Sequence, residues 1–276
     1  ELYKENFRFF GYADKVGSKN EGRGRKMTTV QWIILAVLAV CSYFIGNINF
    51  AMIISKIKHK NIKEMGSGNP GTLNMARNFG LKIGLLTLFL DVLKGAIPTL
   101  VGYFVFYEKK VMAGSFEYAE LSKYVCGFMV VLGHIYPVVY KFKGGKGIAS
   151  SIGVFLASES VCGWMWFLVV IASLLMAVVF IYFTEFGAMG SFIAITPPAI
   201  GGLVRNYVRY YNSDINIGYT IAVSMIILGI CLLTWFAHRA NIKRMLQGEE
   251  HPTSIKSMIR KLKEKKQADK SGENQS

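Results

Sequence analysis

The sequence predicts an all-α polytopic membrane protein with seven transmembrane helices, its N-terminus outside and its C-terminus cytoplasmic. Three observations predict it. Apolar residues make up 52% of the chain and mean hydropathy is +0.35, while the charged residues (18%) gather in loops and at both ends. The apolar runs lack the period-two alternation of porin strands, so in lipid their backbones must satisfy themselves as helices. Positive charge is also unequal from one loop to the next, which orients the spans.

Taken in order, residues 1–26 are polar and contain no apolar run of span length. Met27-Thr28-Thr29-Val30 opens the first apolar segment, so 1–26 reads as a polar extension, either non-native or a disordered arm, and is set aside from the fold. Apolar runs follow near 30–55, 83–106, 122–140, 147–157, 161–183, 186–204 and 217–237. The run at 147–157 is short against a span of about 20 residues, so it reads as a half-helix, with six crossings as the alternative. The membrane domain is 27–252. Residues 253–276 are charged and poor in apolar side chains, and read as a mobile cytoplasmic tail.

The first loop carries Lys56, Lys58, Lys60, Lys63, Arg77 and Lys82, the third carries Lys141, Lys143 and Lys146, and the tail beyond Trp235 is basic. The second balances Lys109 and Lys110 against Glu108, Glu117 and Glu120, and the fourth, Ser158-Glu159-Ser160, has no cation. Odd loops and the tail are therefore assigned to the inside. Arg205 and Arg209, placed in the sixth loop, run against that pattern, as does the basic stretch 1–26.

The net charge of +15 sits beside apolar spans, with no basic helix or aromatic-basic sheet pattern. Anionic head groups and phosphorylated substrates are the expected partners, and nucleic acid is not. Cys41, Cys126, Cys162 and Cys231 lie in or beside apolar runs without ligand spacing, so they read as small hydrophobes, and no metal is expected.

Two glycine-rich basic stretches carry the chemistry. Gly66-Ser67-Gly68-Asn69-Pro70-Gly71 fits G-x-G-x-x-G literally, but no strand precedes it, Pro70 sits in the turn and Asp91 falls within an apolar span. The dinucleotide reading is therefore rejected. Backbone N–H groups at Gly68 and Gly71, the Ser67 and Thr72 hydroxyls, the Asn69 and Asn74 amides and the Arg77 fork still suit a phosphate. A capped glycine turn is the plain alternative. Lys143-Gly144-Gly145-Lys146-Gly147 fails the Walker pattern and reads either as a phosphate loop or as a positive anchor. Asp91 and Lys94 share a helical face inside a span, as a structural ion pair or as direct participants. His134 reads first as a hydrogen-bonded structural residue. His238 and Asn241 share a face at the start of the tail, flanked by Arg239 and Arg244.

Together these stretches resemble the bacterial acyl-phosphate:glycerol-3-phosphate acyltransferases of the PlsY type, from about Met27 to Glu250. The resemblance implies seven membrane helices and active-site roles for Ser67, Arg77, Lys146, His238 and Asn241. It implies a hydroxyl just after the fifth span, where Thr184 of Tyr182-Phe183-Thr184-Glu185 is the best equivalent, although Glu185 and the lack of serine depart from the family pattern. It also implies acyl phosphate and glycerol 3-phosphate as substrates, no cofactor, a cytoplasmic active site in the bacterial plasma membrane, and coupling to a phosphate:acyl carrier protein acyltransferase. A transporter of a small phosphorylated anion is the rival reading. A CDP-alcohol phosphotransferase is a weaker rival, because the clustered metal-binding aspartates of that chemistry are missing.

Overall fold

The computed structural model describes residues 27–107, 116–212 and 216–250, together with Thr253, Lys256 and Arg260. The extension 1–26 and most of the tail 253–276 lie outside the described residues. Ten α-helices follow in order among the described residues. They are α1 (Thr29–Asn47), α2 (Phe50–Ile57), α3 (Thr72–Phe79), α4 (Leu81–Tyr107), α5 (Phe116–Ile135), α6 (Ile148–Ser160), α7 (Trp164–Thr184), α8 (Gly187–Asn212), α9 (Ile217–Ala237) and α10 (Arg239–Leu246).

Six stretches are long and apolar enough to cross a bilayer: Thr29–Ile57, Leu81–Tyr107, Glu117–Tyr140, Trp164–Thr184, Gly187–Tyr211 and Ile217–Ala237. The expected fourth span is the 13-residue α6. At 1.5 Å per residue it extends about 20 Å, short of a core of about 30 Å. It nevertheless joins the two ends of the bundle. Gly147, which caps it, lines the same cavity as His134 and His238, while the carbonyl of Ser158 accepts from Lys123 Nζ at the far end. Helices α1, α5, α7 and α9 run toward the cavity end, and α4, α6 and α8 run away from it.

Helix α5 lies at the centre, packed on α1, α4, α6 and α9. Tyr124, Val130, Phe155, Ile195, Ile227 and Ile230 are fully enclosed. Val37 and Phe44 of α1, Leu175 and Val179 of α7, and Leu228 and Leu232 of α9 point outward, as a lipid-facing surface requires. Helices α1 and α5 cross at Gly46 and Gly133, where a Cβ on either residue would strike the other helix's backbone carbonyl oxygens. Of the cysteines, Cys126 and Cys231 are buried, Cys162 accepts from Lys123 Nζ at 3.1 Å, and Cys41 faces outward.

Two local features differ from the sequence expectation. The first span is broken: α1 stops at Asn47, and Asn49 caps α2 by accepting from the Met52 N–H at 3.0 Å. Helix α8 runs past the expected end at 204, so Arg205 and Arg209 are helical and buried rather than loop cations. Arg205 donates to the Tyr124 hydroxyl at 2.8 Å and lies 3.3 Å from Glu159 and 3.6 Å from Glu120. Arg209 lies 3.3 Å from Glu120, and Lys123 lies 2.5 Å from the same carboxylate. Cations neutralised within the bundle carry no topological signal, so Arg205 and Arg209 do not count against the loop-charge pattern.

Helix α8 also contains Pro197 and Pro198. Proline at 198 supplies no N–H to the carbonyl of Ala194, one turn back. The Ser173 hydroxyl of α7, which donates to the Val170 carbonyl at 2.8 Å, shares its proton with that carbonyl at 3.2 Å.

Candidate active site

The Gly66–Gly71 segment folds as a tight loop on the Asn74 amide. Asn74, 2% exposed, accepts from the Ser67 N–H at 3.1 Å and donates to the carbonyls of Met65 at 2.9 Å and Ile62 at 3.4 Å. Asn78 donates to the same side-chain oxygen at 3.0 Å. Gly66 and Gly68 sit at φ 55° and 69°, backbone that L side chains resist. Gly71 then caps α3, whose N–H groups begin at the cavity with Thr72, and Arg77 follows on the same helix. Ser67 is exposed at the loop surface with its side chain toward the cavity.

The second loop rests on a buried constellation. Lys94 Nζ reaches Asp91 at 2.8 Å, His134 Nδ1 at 2.7 Å and the Ile48 carbonyl at 2.6 Å. That carbonyl lies at the break between α1 and α2, so Lys94 satisfies an acceptor the broken helix leaves over. An ammonium can only donate, so His134 Nδ1 is the acceptor. The His134 carbonyl in turn accepts from the Gly145 N–H at 3.1 Å, and the Ile135 carbonyl accepts from Gly144 at 3.1 Å. A Cβ at Gly144 would collide with the His134 carbonyl, so this turn lies flat on the end of α5. Lys63 ties both loops together by donating to the Lys143 carbonyl at 3.1 Å.

The third contribution comes from the far end of the chain. Lys146 Nζ donates a short hydrogen bond to Asn241 Oδ1. Asn241 Nδ2 donates to Glu250 at 2.6 Å, and Arg244 Nε donates to the other oxygen of that carboxylate at 3.1 Å. His238, 2% exposed, approaches the Thr234 carbonyl through Nδ1 at 2.9 Å. A carbonyl only accepts, so Nδ1 carries the proton and Nε2 keeps its lone pair. Burial, reinforced by the Lys146 charge, holds the His238 imidazole down at about 4. Burial likewise pulls Lys146 down to about 8, with Glu250 opposing and Arg244 adding to the fall.

These three groups wall one cavity of about 270 Å³. Its polar end holds Ser67, Arg77, Lys146, His238, Asn241 and Arg244, with Asn69, Gly71, Thr72, Asn74, His134 and Gly147 alongside. Its apolar arm runs between helices past Leu88, Ile152, Leu174, Ala177, Ile181 and Ala194. Asp91 reaches the wall; Lys94 stands behind it.

Several expected binding residues lie elsewhere. Gly68, Lys143, Gly144 and Gly145 shape the loops without lining the cavity. Arg239 turns outward, 4.5 Å above the Phe236 ring. Thr184 is exposed, and its hydroxyl donates to the Phe180 carbonyl at 2.8 Å, the ordinary outlet for a threonine in the last turn of a helix. Sequence reasoning missed Ser191, Glu250 and Thr253, all of which line the cavity. Thr253 had been assigned to the tail, yet it is 5% exposed and its N–H donates to the Glu185 carbonyl at 2.8 Å.

A bundle of apolar helices that gathers cations around one cavity with an apolar arm defines an integral membrane protein whose cavity suits an anionic, lipid-like molecule. Comparison with known proteins makes this specific. The family model for glycerol-3-phosphate acyltransferase matches residues 36–248, and the chain belongs to that family. It is an acyltransferase and a multi-pass membrane protein. The glycerol-3-phosphate acyltransferase of Finegoldia magna is 36% identical over 222 residues, covering 80% of this chain and 97% of the relative. That of Aquifex aeolicus is 33% identical over 214 residues, covering 78% and 96%. The fold is similar to the crystal structure of PlsY (YgiH), an integral membrane glycerol 3-phosphate acyltransferase, in its glycerol 3-phosphate form. The TM-score is 0.62 at 30% identity, covering 82% of this chain and 98% of that one.

Proposed function

We propose that this chain transfers an acyl group from acyl phosphate to the 1-hydroxyl of sn-glycerol 3-phosphate, releasing 1-acyl-glycerol 3-phosphate and inorganic phosphate for membrane phospholipid synthesis. The observation that carries the reading is one cavity that joins a cationic end, at Arg77, Lys146 and Arg244, to an apolar arm. Two phosphorylated substrates bring several negative charges together, and these cations offset their repulsion. The acyl tail occupies the arm between helices and enters from lipid.

An acyl phosphate is already activated, so no covalent acyl-enzyme is needed. The hydroxyl oxygen attacks the carbonyl carbon, the carbon–oxygen bond to phosphate breaks, and phosphate carries off the hydroxyl proton. Positioning and stabilisation of the carbonyl oxyanion supply the rate, with Ser67, Thr72 and the loop N–H groups as donors. His238 is neutral at physiological pH and offers a lone pair at Nε2, which suits an acceptor for a substrate hydroxyl better than a strong base.

The cavity end faces the cytoplasm of a bacterial plasma membrane, and α6 serves as a seventh crossing with the N-terminus outside. Support comes from Lys58, Lys60, Lys63 and Lys143 in the two loops at that end, with Lys56 in the last turn of α2 and Lys82 in the first turn of α4. An enzyme that converts acyl carrier protein thioesters and phosphate into acyl phosphate supplies the donor.

The test is phosphate release from palmitoyl phosphate by purified protein, with and without glycerol 3-phosphate, alongside Lys146→Ala. Release that requires glycerol 3-phosphate, yields the acylated product and collapses in the variant supports the reading. A well-folded protein that uses neither acyl phosphate, acyl-CoA nor acyl carrier protein, but accumulates glycerol 3-phosphate in sealed vesicles, replaces it with transport.

A further inference from the structure

The site contains a hydroxyl that neither the family match nor the loop motifs assign. Thr253 lies five residues beyond the matched stretch 36–248, yet it lines the cavity and is 5% exposed. Its place is fixed from two sides. Its N–H donates to the carbonyl of Glu185, the residue that ends α7 with φ 62°. Its side chain fills the space that a Cβ on Gly187, the first residue of α8, would need: such a Cβ would lie 2.7 Å from Thr253 Oγ1 and 3.4 Å from its Cβ. Glycine at 187 therefore admits the threonine, and the α7–α8 corner is completed by a residue 66 positions further along the chain.

The neighbouring hydroxyls are committed. Thr184 donates to the Phe180 carbonyl and faces away from the cavity, and Ser191 donates to the Gly187 carbonyl at 2.9 Å. Gly187 and Ala188, whose N–H groups open α8, line the same part of the wall as Thr253. The first intrahelical bond reaches back from the Gly190 N–H to the Phe186 carbonyl, so donors ahead of Gly190 point out of the helix. An anion there meets the positive end of a 26-residue helix and a hydroxyl held at the same corner.

We infer that Thr253 is a substrate-binding residue whose hydroxyl, with the first N–H groups of α8, donates to a phosphate oxygen of a bound substrate. The role rests on the acyltransfer reading above. It gives the enzyme an anion seat in addition to the Lys146–Asn241–Arg244 group. It also extends the site beyond α10 to Thr253.

Thr253→Val removes the hydroxyl and keeps the shape; Thr253→Ser keeps the hydroxyl and removes a methyl. Both are assayed in the full-length protein, with glycerol 3-phosphate and palmitoyl phosphate titrated separately to tell which phosphate is held. The expected result is a KM raised about tenfold or more for one substrate in Thr253→Val, as loss of a hydrogen bond to a charged group gives, with Thr253→Ser close to wild type. Val behaving as wild type overturns the inference, as does an equal loss in both variants, which would mean packing alone. If the wild-type protein acylates no glycerol 3-phosphate, the acyltransfer reading itself falls and takes this role with it. Normal wild-type turnover alongside an unaffected Val variant sinks the inference alone.

Discussion

Lys146 and Asn241 are 95 residues apart in sequence, yet the lysine ammonium donates directly to the asparagine side-chain oxygen. Asn241 in turn donates a side-chain N–H to Glu250, so the lysine, amide and carboxylate form one chain of polar contacts. The arrangement holds a partly desolvated cation in the polar end of the cavity.

The desolvated lysine sets a pH limit. With its pKa lowered from the ordinary 10.5 to about 8, Lys146 loses its proton as pH rises through 8, and attraction for phosphate goes with it. kcat/KM should therefore fall above about pH 8, because that ratio reports the free enzyme. Lys146→Arg should abolish this limb, since guanidinium stays charged. The sign for stability follows from the same shift. The folded state binds fewer protons than the unfolded chain between pH 8 and 10.5, so burial of this lysine costs stability below pH 8 and the cost fades as pH rises through that window.

His238 should leave no limb near pH 6.5. Held at about 4, it stays neutral across the working range, so kcat/KM should be flat from pH 5.5 to 7.5 apart from substrate ionisation. His238→Gln should raise KM for glycerol 3-phosphate with a smaller effect on kcat. A large fall in kcat at unchanged KM would instead make the imidazole the base.

Asn74 should be a stability residue as much as a site residue. Its buried side chain closes the Gly66–Gly71 loop through several hydrogen bonds. Asn74→Ala should cost about 2–3 kcal/mol, since buried partners are left unpaired. Thermal unfolding in detergent measures this, and a wild-type melting point would show that the loop holds itself.

The far-end charge cluster should matter for folding and not for chemistry. Arg205→Met leaves Glu120 and Glu159 with fewer partners and should destabilise by about 3–5 kcal/mol, with KM unchanged in the protein that folds. A shift in KM would tie this end of the bundle to the site.

Thr184→Ala should retain activity within about twofold, because a surface change away from buried contacts has small effects. A loss approaching that of Lys146→Ala would mean that the hydroxyl turns inward when substrate binds.

The two glycine–basic loops, the helical class and the membrane setting could be read along the chain because each rests on local chemistry. A run of apolar residues must close its own hydrogen bonds in lipid, and glycines beside lysines mark exposed backbone next to fixed charge. Ser67, Arg77, Lys146, His238 and Asn241 were named from the sequence, and folding brings all five to one cavity wall. Folding separated residues that the sequence ranks alike. Lys143 and Lys146 share a motif, but the flat turn at Gly144 and Gly145 sends one outward and the other inward. Arg205 and Arg209 looked like loop charges because nothing nearby in sequence reports Glu120 and Glu159, which reach them from α5 and α6. Glu250, Ser191 and Thr253 carry no motif, and their places on the cavity wall come from contacts distant in sequence, such as that of the Thr253 N–H with the Glu185 carbonyl beside the start of α8. Local patterns report what a residue can do in its own turn or loop. Which distant group meets it is decided by how α6, α7 and α8 pack, and that depends on the summed fit of many side chains.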